Sequence, residues 1–427
     1  MRRAVGAPAS VDAMQPRFVV VGGGPAAGAA ARRFAEAGEP VAVLTTEDLA
    51  PYDRTVLSKD VLLDPAAPVP EVWPPDAAWR DRVFVRTGTT VASLDPARGV
   101  LTTDDGTTWA FDAAVLAPGA EPRRLVVPGA EGPGVHHLRD VRDALPLSRA
   151  LSGASRLVVV GGGVIGLEVA AAARQRGTEV DVVEAGPRLL ARVAPPQVAA
   201  RLADLHTRHG VRLHLGTTPQ EVLRLPDGSV EAVHLSDDSV LPADLVVVGI
   251  GVDPRTDLAT TAGLEVDDGI VVDASMRTSH PAVLAAGDAV RMRTSDDHRG
   301  VRLESFTAAG RQGEVAAAVA LGEDAAFTDV PWSWSDQYDA TMQAVGLPHP
   351  EADDVLLGDD DTVLVLSLVD GRPVAACGVR TGPGIARAVR AAGPVIAAAA
   401  PVDLDALRGA GGDPAALARV LREAACA

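Results

Sequence analysis

Apolar positions along this chain come in blocks, and the first is the clearest. Val19–Val21 is a continuous apolar run that breaks into Gly22-Gly23-Gly24-Pro25-Ala26-Ala27-Gly28. An unbroken apolar run of strand length is the pattern of a strand buried on both faces. A helical stretch at Ala29–Ala37 follows, then a strand at Val41–Leu44, a long loop, and strand signals at Val83–Arg86 and Ala114–Ala117. Residues 155–245 repeat the plan: a strand at 157–160, the turn Gly161-Gly162-Gly163-Val164-Ile165-Gly166, a helix at 164–176, and strands at 180–183 and Leu245–Val248. Past Gly249 the first pattern resumes, with Ile270–Val272 and Val283–Ala285, so the second block reads as an insertion into the first. From Pro331 the period changes. Val363–Val369, an Asp370-Gly371 turn and Pro373–Val379 predict a β-hairpin, followed by Ala-rich helices.

Strands alternating with helices predict an α/β fold: two doubly wound parallel sheets with a smaller C-terminal α/β domain. The expected division is 17–122 with 246–330, then 123–245, then 331–427. Residues 1–16 form an expected flexible leader without the apolar stretch of a signal peptide, and Met14 is an alternative start.

Each turn, entered from an apolar strand and left through a helix, has the G-x-G-x-x-[G/A] form that binds a dinucleotide. Glycines let the backbone turn tightly and approach a pyrophosphate, which rests on the helix N-terminus. Two turns predict two dinucleotides, of which a flavin and a nicotinamide are the usual pair. Gly22, Gly24, Pro25, Ala26 and Ala27 form the first expected site; Gly161, Gly163, Val164, Ile165 and Gly166 form the second. Glu184 ends the strand after the second turn, where a carboxylate accepts from the ribose hydroxyls and repels a 2′-phosphate, so NADH is expected over NADPH. Arg188 is the opposing signal, or else an ion-pair partner of Glu184 or a solvated loop charge. In the first block the acidic position falls at Thr46 or Glu47, with Glu47 favoured.

Composition narrows the chemistry. The net charge of −18 argues against nucleic acid and anionic membranes, and no apolar run is long enough to span a bilayer. Two cysteines, Cys377 and Cys426, with no C-x-x-C, indicate a reducing, cytoplasmic setting and no disulfide shuttle. No nucleophilic triad or metal-ligand spacing is present. His206 and His209 fall on a polar helical stretch and are expected to be exposed. Among 39 basic residues there is a single lysine, Lys59.

That lysine closes the segment Pro51-Tyr52-Asp53-Arg54-Thr55-Val56-Leu57-Ser58-Lys59. Here the chain resembles the FAD-dependent reductases that supply ferredoxin or rubredoxin in oxygenase systems, whose segment is PY-x-R-P-P-L-S-K. Thr55 and Val56 replace the two prolines, which is expected to loosen the loop. The resemblance runs on through Ala117-Pro118-Gly119-Ala120, His137-Leu138-Arg139, Leu284-Ala285-Ala286-Gly287-Asp288, Glu304-Ser305-Phe306 and Trp334-Ser335-Asp336-Gln337-Tyr338.

The resemblance implies a glutathione-reductase-like fold with FAD and NADH as cofactors. Arg54, Lys59, Val91, Ala117, Gly119, Arg139, Asp288, Phe306 and Trp334 would line the FAD site. Lys59 stabilises negative charge on the reduced flavin, and Glu168, on the second helix, faces the nicotinamide. Lys59 and Glu168 are the implied catalytic pair. Electrons would pass from NADH through FAD to a ferredoxin, of [2Fe–2S] or similar type, serving an oxygenase; the chain would be a monomer or homodimer. The alternatives are a quinone or small-acceptor reductase and a flavin redox sensor resembling apoptosis-inducing factor. Arg291, Arg293, Arg299 and Arg302 are an expected basic docking patch for an acidic ferredoxin, or else a solvated loop.

Overall fold

The computed structural model describes residues 16–293, 300–359 and 361–426; the expected leader up to residue 15 lies outside them. The chain divides into two compact units.

The first unit comprises residues up to Asp53, Val69–Glu121 and Asp253–Thr328. Its sheet has five parallel strands in the spatial order Val283–Ala285, Ala113–Leu116, Phe18–Val21, Val41–Leu44, Val83–Arg86. The helices Pro25–Glu36 and Phe306–Ala320 pack together beside it. The central strand is buried throughout, as its unbroken apolar run predicts. Each such Val contributes about 1.5–3 kcal/mol relative to exposure. The first helix starts at Pro25, earlier than the expected Ala29, because Pro25 supplies a ready-made helical φ at the first position, where its missing N–H costs nothing. A three-stranded antiparallel meander, Val91–Asp95, Val100–Thr103 and Thr108–Ala110, covers part of this core.

The second unit comprises Arg54–Pro68, Pro122–Val252 and Asp329 to the C-terminus. It holds a parallel sheet in the order Arg212–Leu215, Glu179–Glu184, Arg156–Val160, Leu245–Val248, Val135–His136. It also holds an antiparallel five-stranded sheet in the order Trp332–Gln337, Ala340–Gly346, Arg372–Thr381, Thr362–Val369, Asp353–Gly358. The predicted hairpin is there: Asp370 and Gly371 have φ of 50° and 74°, the two positive values a tight turn of matching twist requires. Helices Ile385–Ala397 and Pro414–Cys426 cover one face.

These units cut the chain differently from the three-part division. Residues 54–68 and 246–252 fall in the second unit, and the C-terminal sheet shares a core with the parallel sheet beside it. Leu62, Leu167, Leu202, Met342 and Val365 belong to one buried cluster, which accounts for the grouping. Among the described residues no helix is long and apolar enough to cross a membrane.

Candidate dinucleotide and redox sites

In the first unit, Gly22 has φ 136°, and a β-carbon on it would lie 2.0 Å from the Ala117 carbonyl oxygen. Only glycine lets the two backbones approach this closely. Ala117 is held there by its N–H donating to the Val21 carbonyl at 2.8 Å. The helix that follows begins after Gly24 with no side-chain cap, whereas Ser305 caps the helix at Phe306 and Asp140 caps Val141–Leu151. Its first-turn amides are thus left available to an anion.

Glu47 is buried and Thr46 exposed. The Tyr52 hydroxyl donates to Glu47 Oε2 at 2.6 Å, and a β-carbon on Gly23 would lie 3.5 Å from Oε1. Gly287 approaches the same turn: its β-carbon would lie 3.1 Å from that of Ala26. Asp288 follows directly. Gly119, with φ 72°, continues from Ala117, and Phe306 opens its helix half-buried. Val91 begins the meander, packed on the core.

The second unit repeats this construction. A β-carbon on Gly161 would meet the Gly249 carbonyl oxygen at 2.3 Å, and the helix Val164–Gln175, which includes Ile165 and Gly166, starts after Gly163 with no side-chain cap. Glu184 is pinned by two backbone amides: Gly162 N–H donates to Oε2 and Gly186 N–H to Oε1, each at 2.7 Å. It keeps lone pairs for further donors. Arg188 donates to the carbonyls of Leu189, Ala191 and Ala194, bracing the loop beyond the turn. Both turns therefore have the open amides, close backbone approach and acidic neighbour that suit an adenine dinucleotide.

Arg54, Lys59, Arg139, Glu168 and Trp334 also lie in this unit. Arg54–Val56 forms a 3-10 turn, with Leu57 N–H on Arg54 O and Lys59 N–H on Val56 O, so the segment makes its turn without the two prolines. Arg54 donates to the Arg139 carbonyl at 3.4 Å, and the Arg139 N–H to Asp143 at 2.9 Å. The Trp334 ring stacks on Trp332 at 5.0 Å.

Glu168 is buried, its side chain 2% exposed. Lys59 Nζ pairs with Oε2 at 2.9 Å and also donates to the Thr55 carbonyl. Ser58 donates to Oε2, and Ser335 to Oε1 at 2.7 Å. A carboxylate so buried needs such donors to remain charged. Ser58 and Ser335 stand inside the quoted motifs, yet no local pattern marks them as partners of Glu168.

His206 corrects its expected exposure: it is fully buried, bonded to Gln337 at 2.8 Å. Burial lowers its pKa from 6.5 to about 4. Between those values the unfolded chain takes a proton that the folded chain refuses, so stability is lost as pH falls through that window. The loss approaches about 3 kcal/mol at the acid end. Denaturant midpoints at pH 7 and pH 4.5 check this, with His206→Gln expected to flatten the difference. Cys377, raised to about 12 chiefly by burial, stays a neutral thiol.

Among the described residues, the arginines of the expected docking patch are paired with acids. Pairing of Val290–Met292 with Ile270–Val272 brings them against an acidic loop. Arg291 pairs with Asp268 at 2.9 Å, Arg293 with Glu265 at 2.6 Å, and Arg302 with Asp268 and Glu304. Arg299 lies outside the described residues.

The family described as pyridine nucleotide-disulphide oxidoreductase matches residues 16–313, and one described as reductase C-terminal matches 332–417. The chain is 42% identical over 386 residues to the anthranilate 1,2-dioxygenase system ferredoxin–NAD(+) reductase component of Burkholderia cepacia, covering 88% of this chain and 94% of that one. It is 37% identical over 348 residues to rhodocoxin reductase of Rhodococcus erythropolis, covering 81% of each. A solved covalent complex of putidaredoxin reductase with putidaredoxin superposes with TM-score 0.88 at 32% identity, over 96% of this chain and 99% of that one. The chain belongs to the pyridine nucleotide-disulphide oxidoreductase family. It is an oxidoreductase of the ferredoxin-reductase kind, using FAD and NAD(H).

Proposed function

We propose that the enzyme draws hydride from NADH and delivers electrons singly to a [2Fe–2S] ferredoxin serving an oxygenase. The observation that carries this is the duplicated turn: two uncapped helix N-termini, each with a carboxylate held over its middle glycine. FAD, when bound, supplies the step between a two-electron donor and a one-electron acceptor. The first turn, with Glu47, Val91, Ala117, Gly119, Asp288 and Phe306, holds FAD; Arg54, Lys59, Arg139 and Trp334 are the further FAD residues that the resemblance implies. The second turn, with Glu184, holds NADH. Lys59 compensates negative charge where electrons arrive, and Glu168 fixes Lys59. Cys377 is buried and stays a neutral thiol, so it is no relay between flavin and partner. Residues 17–122 with 246–330 are the FAD-type domain, 123–245 the NAD-type domain and 331–427 the C-terminal domain, in a cytoplasmic monomer or homodimer.

Steady-state reduction of a panel of ferredoxins by NADH tests the reading; failure with every [2Fe–2S] member while quinones are reduced would replace it. For the donor, NADH should exceed NADPH at least about tenfold in kcat/KM, an effect of ~1.4 kcal/mol. Glu184→Ala should narrow the gap. A wild type that prefers NADPH contradicts the role of Glu184.

A further inference from the structure

The segment Trp334-Ser335-Asp336-Gln337-Tyr338 supplies more than a stacked tryptophan. Ser335 and Gln337, two residues apart on one strand, point to the same side and are both buried. Ser335 Oγ donates to Glu168 Oε1 at 2.7 Å and accepts from Gln337 Nε2 at 3.0 Å. That fixes the amide, so Gln337 Oε1 faces His206 Nε2 at 2.8 Å. A carbonyl oxygen only accepts, so Nε2 carries the imidazole proton. In a neutral ring Nδ1 then accepts, and the Tyr338 hydroxyl lies 3.4 Å from it. Tyr338 itself is left-handed at φ 55°, with its ring stacked on His209 at 3.7 Å. Every donor in the chain Tyr338, His206, Gln337, Ser335 therefore points toward one acceptor, the Glu168 carboxylate. Hydrogen bonds aligned in this way polarise and strengthen one another.

We propose that Ser335, Gln337 and His206 are positioning residues for the Lys59–Glu168 pair. They occupy Oε1 and hold the carboxylate with Oε2 toward Lys59, so the C-terminal domain sets how the ammonium is presented. This rests on the reading above that Lys59 serves the flavin.

The test uses the holoenzyme and a favourable accident of composition: Lys59 is the chain's one lysine. Lysine labelled with carbon-13 at the ε position gives a single protein signal that reports on Lys59 whatever its distance from the flavin. Ser335→Ala and Gln337→Met should shift and broaden that signal. In Ser335→Ala, flavin reduction by NADH should slow about tenfold, the loss of one hydrogen bond to a charged group, and in Gln337→Met, which loses only neutral bonds to Ser335 and His206, by severalfold. The flavin's equilibrium with NADH should move about tenfold toward oxidised flavin, about 30 mV for a two-electron couple. KM for NADH should change by less than about threefold, since the chain acts on presentation of charge and not on nucleotide binding. His206→Leu should follow the same direction, and His206→Gln, which keeps a donor toward Gln337, should restore wild-type behaviour. If Gln337→Met does not fold, Ser335→Ala, which removes one oxygen, decides. An unmoved Lys59 signal in folded Ser335→Ala overturns the positioning role. A moved signal with unchanged potential and reduction rate supports it while overturning the link between Lys59 and the flavin.

Discussion

Gly22→Ala is expected to yield protein with at least about 100-fold weaker hold on FAD, recovered largely colourless. The added β-carbon would sit 2.0 Å from the Ala117 carbonyl oxygen and 2.7 Å from its carbon, both backbone atoms that cannot swing aside. Overpacking of this kind costs about 1–3 kcal/mol, and the φ of 136° adds strain of similar order. The displaced element is the 117–119 loop, which belongs to the proposed FAD site. Gly38→Ala is the control. It has φ 90° but nothing within 4 Å, so it should cost about 1 kcal/mol of stability and leave FAD binding intact. Flavin content by visible absorbance, compared between the two variants, checks the prediction. Equal flavin content would remove the close-approach argument.

The second large effect concerns the buried ion pair. Lys59→Met should slow NADH-driven bleaching of the flavin by about 10²–10³, the usual consequence of losing one preorganised donor. It should also cost about 3 kcal/mol of stability, because Glu168 is left as a buried, undercompensated charge. Lys59→Met with Glu168→Gln separates the two effects. Removing both charges should recover most of the stability and none of the rate. Denaturant unfolding and stopped-flow reduction measure the two quantities, and recovery of the rate in the double variant would show that the lysine has no catalytic part.

What the sequence made legible was the part governed by short-range rules. The buried strand at Phe18–Val21, the glycine turns, the Asp370-Gly371 hairpin and the carboxylate at Glu184 follow from local composition and spacing. The meander at 91–110 went unread because half-exposed strands carry mixed patterns. His206 was misjudged from the polar stretch it lies on, with Asp204 and Arg208 beside it. Its phase was the better guide, since Val198 and Leu202 precede it at helical spacing and both are buried. The ion pairs of Arg291 and Arg293 went unread because their acidic partners, Glu265 to Asp268, reach them only through strand pairing. Lys59, Glu168, Ser335 and His206 come from four distant segments, and no window of sequence could assemble them.

The measurement that bears most directly on the central claim is an anaerobic titration of NADH into the holoenzyme with excess [2Fe–2S] ferredoxin. The account predicts that each NADH consumed yields two reduced ferredoxins, with the rate set by flavin reduction until NADH is exhausted. Flavin that bleaches with NADH yet passes no electrons to any ferredoxin would contradict it.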